Sequence, residues 1–236
     1  EQARMYLDYR AEIVGQKALD MERQAIQAMM QFNGKLQPKQ TLYRVKSLLE
    51  EIKRSRAYTA EQANAISQRQ TVKHELATQL AYAAGLRAHE LLTLSKASER
   101  PPNNRPALNS KWQGRSGELY TVAGKGGLIR HVLIPNHLVN QLEAKKLKQP
   151  ITVTDREINY LQHYDIGGGK KWSDSFSKAS NRTLLFSTGA HGLRHSYAQE
   201  RMVELHTLGF KYKTALETVS QEMGHFRPEI TEVYLR

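Results

Sequence analysis

Between His191 and Tyr234 the chain concentrates side chains suited to handling a phosphate: His191, Arg194 and His195, then Gly224-His225, then Tyr234, nine residues after that histidine. An arginine can hold two non-bridging oxygens at once through its planar fork, and a phenol can attack phosphorus once its proton is removed. Two further groups recur upstream. Gly85-Leu86-Arg87 opens Ala88-His89-Glu90-Leu91-Leu92-Thr93-Leu94, and Gly124-Lys125-Gly126-Gly127 lies between two apolar runs. Taken singly, each has an ordinary explanation: a surface Arg87 and Glu90 pair at i, i+3, a glycine-rich hairpin with a solvated lysine, a satisfied His191, an amphipathic Tyr234. A metal pair formed by His191 and His195 at i, i+4 is disfavoured, because no glutamate lies between them as in zinc hydrolases and no third ligand is evident.

These groups must be carried by elements, and the sequence marks most of them. Glu1 to about Met30 is rich in helix formers, with Met5, Tyr9 and Ile13 on one expected apolar face and Ile26, Met29 and Met30 continuing it. Gly15 is a weak point and Phe32-Asn33-Gly34 a stop. A second amphipathic helix is expected from Pro38, burying Leu42, Val45, Leu48, Leu49 and Ile52 and carrying Arg44, Lys46, Lys53, Arg54 and Arg56. Thr59, with Glu61 and Gln62 in the following turn, marks a new helix start, and the domain boundary is placed there, giving residues 1–58 and 59–236.

Thr71 to Ala84 has helical spacing, and Ala88–Leu94 reads as a short helix. Pro101–Pro106 is a loop, and Glu118–Ala123 and Leu128–Ile134 pair as a hairpin around Lys125. Asn136–Lys148 reads as a helix with Leu138, Leu142 and Leu147 inward, while Pro150–Asp165 is ambiguous. Gly167-Gly168-Gly169-Lys170-Lys171 fails the phosphate-loop pattern, since Tyr164 and Lys171 stand where glycine and Ser or Thr are needed, and it reads as a flexible basic loop. Ser173–Arg182 forms a short helix, and Leu184, Leu185 and Phe186 an apolar step before His191.

Composition narrows the function. The 236 residues, 39% hydrophobic, allow a real core, and 35 Lys and Arg against 23 Asp and Glu give a net charge of +12, the balance of a protein that neutralises phosphates. Cysteine is absent, which excludes disulfides, thiolate metal sites and a cysteine nucleophile. No apolar run approaches the ~18 residues of a membrane span and the start lacks a signal peptide, so a soluble, cytoplasmic protein is expected. The first residue is not methionine, and the chain is read as a fragment or a processed product.

The ordered set resembles the signature of the tyrosine recombinase (phage integrase) family: Gly-Leu-Arg-x-x-Glu-Leu-x-x-Leu at 85–94, a Gly-Lys-Gly turn with Arg130 in the return strand and Pro135 after it, His-x-x-Arg at 191–194, Gly-His at 224–225, and Tyr234. The resemblance covers roughly Thr59 to Arg236, and Met223, where the family often has leucine, is a volume-conserving departure. It implies an α+β, mostly helical protein with a small antiparallel sheet, preceded by a partial helical core-binding domain that clamps DNA. It also implies a 3′-phosphotyrosyl intermediate formed without metal, ATP or another cofactor, a homotetramer on double-stranded DNA with accessory DNA-bending proteins as further partners, and a bacterial or phage-encoded, nucleoid-associated enzyme. Family members usually continue into a tail that packs on a neighbouring subunit, whereas this sequence ends at Arg236.

If the groups converge, Arg87, Arg194 and His225 offset charge on the phosphate oxygens, Tyr234 attacks, His191 takes its proton, and Lys125 protonates the leaving 5′-oxygen. Kept open beside this are a type IB topoisomerase-like strand transferase, a non-cleaving DNA-binding protein of the same fold, and a metal-dependent nuclease using His191 and His195.

Overall fold

The computed structural model describes residues 1–49 and 55–236, apart from the side chain of Lys125. Its contacts divide the chain into two compact units, Glu1–Arg54 and Ser55–Arg236. Among the described residues, no helix is long and apolar enough to cross a membrane.

In the first unit, α1 (Gln2–Ala11) and α2 (Gln16–Phe32) are separated where Gly15 caps α2. Arg10 donates to both carboxylate oxygens of Glu22, at 2.9 and 2.7 Å, and Leu7, Ala11, Leu19 and Val45 form a small core. Met5, Tyr9 and Ile13, expected to be buried, are exposed instead, because α1 turns Leu7 and Ala11 inward. The helix expected from Pro38 is absent over residues 38–49. That stretch runs without helix alongside α2, where glutamine side chains take the place of helical backbone partners: Leu42 N donates to Gln27 Oε1 (3.0 Å), Ser47 N to Gln16 Oε1 (2.9 Å), and Gln16 Nε2 to the Val45 carbonyl (3.1 Å). Ile52, Lys53 and Arg54, assigned to the same helix, lie outside the described residues.

The second unit opens with α3 (Ala60–Ser67), whose cap is reciprocal: Thr59 Oγ1 accepts from Gln62 N, and Gln62 Oε1 accepts from Thr59 N. Helix α4 (Val72–Ala84) buries Leu76, Ala77, Leu80, Ala81 and Ala84 and stops at Gly85, whose φ of +59° a side-chain-bearing residue rarely adopts. The following segment, expected as a short helix, tightens into a 3₁₀ turn at Glu90–Thr93.

Strands β1 (Ser95–Lys96), β2 (Gly117–Ala123) and β3 (Ile129–Pro135) form an antiparallel sheet in that order, with Val122 opposite Arg130. Lys125 begins the 3₁₀ turn Lys125–Gly127 at the tip of the β2–β3 hairpin. Alternation along β3 turns Val132 and Ile134 into the core, and Arg130 with them.

Helix α5 ends earlier than expected, spanning Asn136–Glu143, and Leu147 belongs to a second hairpin made of β4 (Lys146–Asp155) and β5 (Ile158–Tyr164). The Gly167–Lys171 stretch is not a free loop. Gly169 N donates to the Ala88 carbonyl (2.8 Å) and Lys170 N to Asp155 Oδ1 (2.7 Å), so the stretch opens α6 (Gly169–Leu184), which is longer than the helix expected from Ser173. Of the apolar step after it, Leu185 and Phe186 are exposed.

Trp172 and Phe176 of α6 join Leu80, Tyr120, Ile134 and Leu142 in the main core. A second core gathers α7 (Gly192–Thr207), α8 (Tyr212–Glu222), Met223 and Tyr234. The chain ends in α9 (Pro228–Glu232), with proline at its start, and a 3₁₀ turn at Val233–Leu235.

Candidate active site

Tyr234 reaches the site from the terminal 3₁₀ turn, which α7 pins in place: Gln199 Nε2 donates to the carbonyls of Tyr234 (3.1 Å) and Arg236 (2.9 Å). The tyrosine ring is 9% exposed and sits among three imidazoles, with centroid separations of 4.7 Å to His195, 5.0 Å to His225 and 5.4 Å to His191. Its hydroxyl lies 3.1 Å from His191 Nε2. His191 immediately precedes α7, so the first turn of that helix presents both His191 and, three residues on, Arg194.

Arg194 is fully buried. Its guanidinium donates to the Gly85 carbonyl, to the Met223 carbonyl at 3.2 Å and to His225 Nε2 at 3.0 Å, while its Nε finds no partner among the described residues. The Gly85 and Met223 contacts tie the end of α4 and the turn after α8 to one side chain. Beneath lies Glu90, also fully buried. It accepts from Arg87 (2.8 Å) and Arg130 (2.9 Å), and Arg194 Nη1 stands 3.8 Å away. Arg130 also donates to the Glu222 carbonyl at 2.7 Å. Burial would raise the Glu90 carboxyl, but the charges of Arg130, Arg194 and Arg87 outweigh it and hold the group well below the usual carboxylate range. Burial together with Arg87 lowers the Arg194 guanidinium to about 10.

The imidazoles are held neutral. Burial, then the charges of Arg194 and Arg87, push His225 down to about 3; His191 is also lowered, by partial burial with Arg194 and His195, but it is an exposed residue and solvent weakens that push. A neutral His225 whose Nε2 faces an arginine donor must carry its proton on Nδ1, directed at Thr231 Oγ1 3.0 Å away. By the same logic His191 Nε2 can be the lone-pair nitrogen facing the phenol. The arrangement sets a phenol against a neutral acceptor beside two guanidiniums, which is chemistry for activating a hydroxyl near an anion.

Three solved structures resemble the chain over 99% of its length: XerH site-specific recombinase bound to palindromic difH substrate, a post-cleavage complex (15% identity, TM-score 0.58), XerH bound to difH substrate, a pre-cleavage complex (16%, 0.54), and XerA recombinase (11%, 0.50). The fold is that of a tyrosine recombinase. The chain spans 65% and 66% of the two XerH chains and 76% of XerA. No family model and no curated protein matches the sequence.

On this tyrosine recombinase fold, Arg87, His191, Arg194, His225 and Tyr234 come together within one polar cluster. Lys125 is placed at the hairpin tip by its backbone, and its side chain lies outside the description. Sequence reasoning matched Glu90 and Arg130 only by their places in the motif order and gave Thr231 no role. Arg130 had a legible signal: period-two alternation puts it on the same face as Val132 and Ile134, and an arginine among core residues requires a partner.

Proposed function

We propose that the chain is a site-specific DNA recombinase, a strand transferase that cuts and rejoins DNA through Tyr234. The phenolic oxygen attacks a backbone phosphorus and the P–O5′ bond breaks, leaving a 3′-phosphotyrosyl link and a 5′-hydroxyl. The phenolic proton passes to His191 Nε2, and Lys125 gives a proton to the departing oxygen. Attack by another strand's 5′-hydroxyl reverses the step and needs no energy source. The observation that carries this is the Tyr234 hydroxyl, 3.1 Å from His191 Nε2 in the cluster that holds Arg87 and Arg194.

Arg87 is the more exposed of the two arginines, with 22% of its side chain accessible, and is positioned to meet a phosphate first; Arg194 stabilises charge from beneath. His225 has both ring nitrogens occupied, so it donates to the phosphate only after Arg194 leaves Nε2 and the ring proton moves to that nitrogen, with the Thr231 hydroxyl then donating to Nδ1. A phosphate anion would also raise the depressed His191, strengthening it as a base when substrate arrives. The net charge of +12 suits a duplex partner. The N-terminal helices belong, on this proposal, to a DNA-clamping domain, and assembly is a homotetramer with accessory DNA-bending proteins.

The test is covalent capture with a pool of nicked duplexes in EDTA, resolved on a denaturing gel. A protein–DNA adduct formed despite chelation is expected. Adduct formation that requires a divalent metal, or DNA binding without any adduct, would refute the proposal.

A further inference from the structure

The loop 101–107, the start of β3 and the turn after His225 enclose a cavity of about 380 Å³, and among the described residues no carboxylate lines it. Arg105, Lys111, Arg130 and His131 do. The walls are anchored to the fold. Asn103 exchanges hydrogen bonds with Ile129 (2.9 and 2.7 Å), Leu108 N donates to Gln221 Oε1 (2.9 Å), and Trp112 N donates to Glu222 Oε1 (2.7 Å).

Two of these cations, Lys111 and Arg105, are held over aromatic rings, while Arg130 pairs with Glu90 behind the cavity wall. Lys111 Nζ lies 4.2 Å from the Trp112 centroid, and the Arg105 guanidinium carbon 5.0 Å from that of Phe226. Both aromatic residues have left-handed backbones, with φ of +59° and +55°. Arg130 is 3% exposed and its Nε has no partner among the described residues. Burial, then Arg130, lowers Lys111 to about 8, and burial with Lys111 lowers His131, so positive charge is crowded here and an anion would relieve it.

The cavity adjoins the candidate active site through two links: Phe226 follows His225 in the chain, and Arg130 bonds Glu90. A ligand with anionic groups in series, one at Tyr234 and the next in this cavity, is a nucleic-acid backbone. We propose that Arg105, Lys111 and His131 form a second phosphate site, which holds the backbone phosphate neighbouring the one attacked by Tyr234. The assignment to DNA rests on the strand-transfer function proposed above.

Two measurements on the whole chain test it. In the first, inorganic phosphate is titrated while the His131 ring signals are followed by NMR, with His137 as the reference. A saturable His131 shift is expected in wild type and in Lys111→Arg, and its loss in Lys111→Gln and Arg105→Gln. The second is the dependence of affinity for a mixed-sequence duplex on salt, where the slope should fall by about one for each neutralised cation and hold in Lys111→Arg. A His131 ring that ignores phosphate, or that responds equally in Lys111→Gln, overturns the site. Phosphate binding with an unchanged DNA slope overturns its assignment to DNA. Adduct formation separates this from the parent proposal: Lys111-dependent phosphate and DNA binding without an adduct would leave the site standing and remove strand transfer. An adduct with no Lys111 dependence would do the reverse.

Discussion

Three guanidinium groups gathered at one point repel one another unless a negative charge lies among them, and Glu90 supplies it from a fully buried position. Replacing it by glutamine keeps the shape but removes that charge. Loss of one partner from a buried ionic cluster costs about 3–5 kcal/mol, and the arginines no longer share a fixed anchor. Glu90→Gln should therefore lower the urea midpoint and slow adduct formation by about 100-fold, the scale of losing one oriented donor at a phosphate. Unchanged stability would show that the cluster is balanced elsewhere. The tyrosine, the histidines and the paired arginines were legible in the sequence because few residue types perform phosphate chemistry and their order is informative. The anchoring role of Glu90 was not, since i, i+3 spacing to Arg87 is the same for a solvated pair and for a buried anchor.

At the scale of elements, the end of α4 decides where two arginines stand. A Cβ at Gly85 would meet Tyr197 Cδ1 at 2.8 Å on a backbone with φ +59°, and the Gly85 carbonyl is an acceptor for Arg194. Gly85→Ala should cost at least about 1–2 kcal/mol in unfolding experiments, with adduct yield falling alongside; a neutral effect on both would contradict the placement of this turn. Gly224 is similar, with φ +73° and a Cβ that would lie 2.5 Å from Arg130 Cδ. Elements with local signatures were readable, as α3 was from its Thr59 and Gln62 capping box. Residues 38–49 misled because apolar spacing cannot reveal that Gln16 and Gln27 satisfy the backbone there. The β4–β5 hairpin escaped because it is largely exposed and lacks a buried alternating face.

Across the whole molecule, histidines held neutral tie stability to pH. An unfolded imidazole titrates near 6.5, whereas His191 and His195 are lowered to about 4 and His225 to about 3, chiefly by burial. As pH falls the unfolded chain takes up protons first, so stability is complete above about 6.5 and drains between there and these folded values, with the exposed edge of His191 lessening its share. The urea midpoint should drop between pH 7 and pH 4.5, and less steeply in His225→Asn; a midpoint that holds or rises on acidification would contradict this. The net charge of +12 was plain from composition, but the gathering of cations around one tyrosine required the fold. The most direct test of strand transfer is to digest the captured protein–DNA adduct and identify the modified peptide by mass. The nucleotide should be on Tyr234, with no adduct from Tyr234→Phe, whereas attachment at any other residue, or an undiminished adduct in that variant, would show that Tyr234 is not the nucleophile.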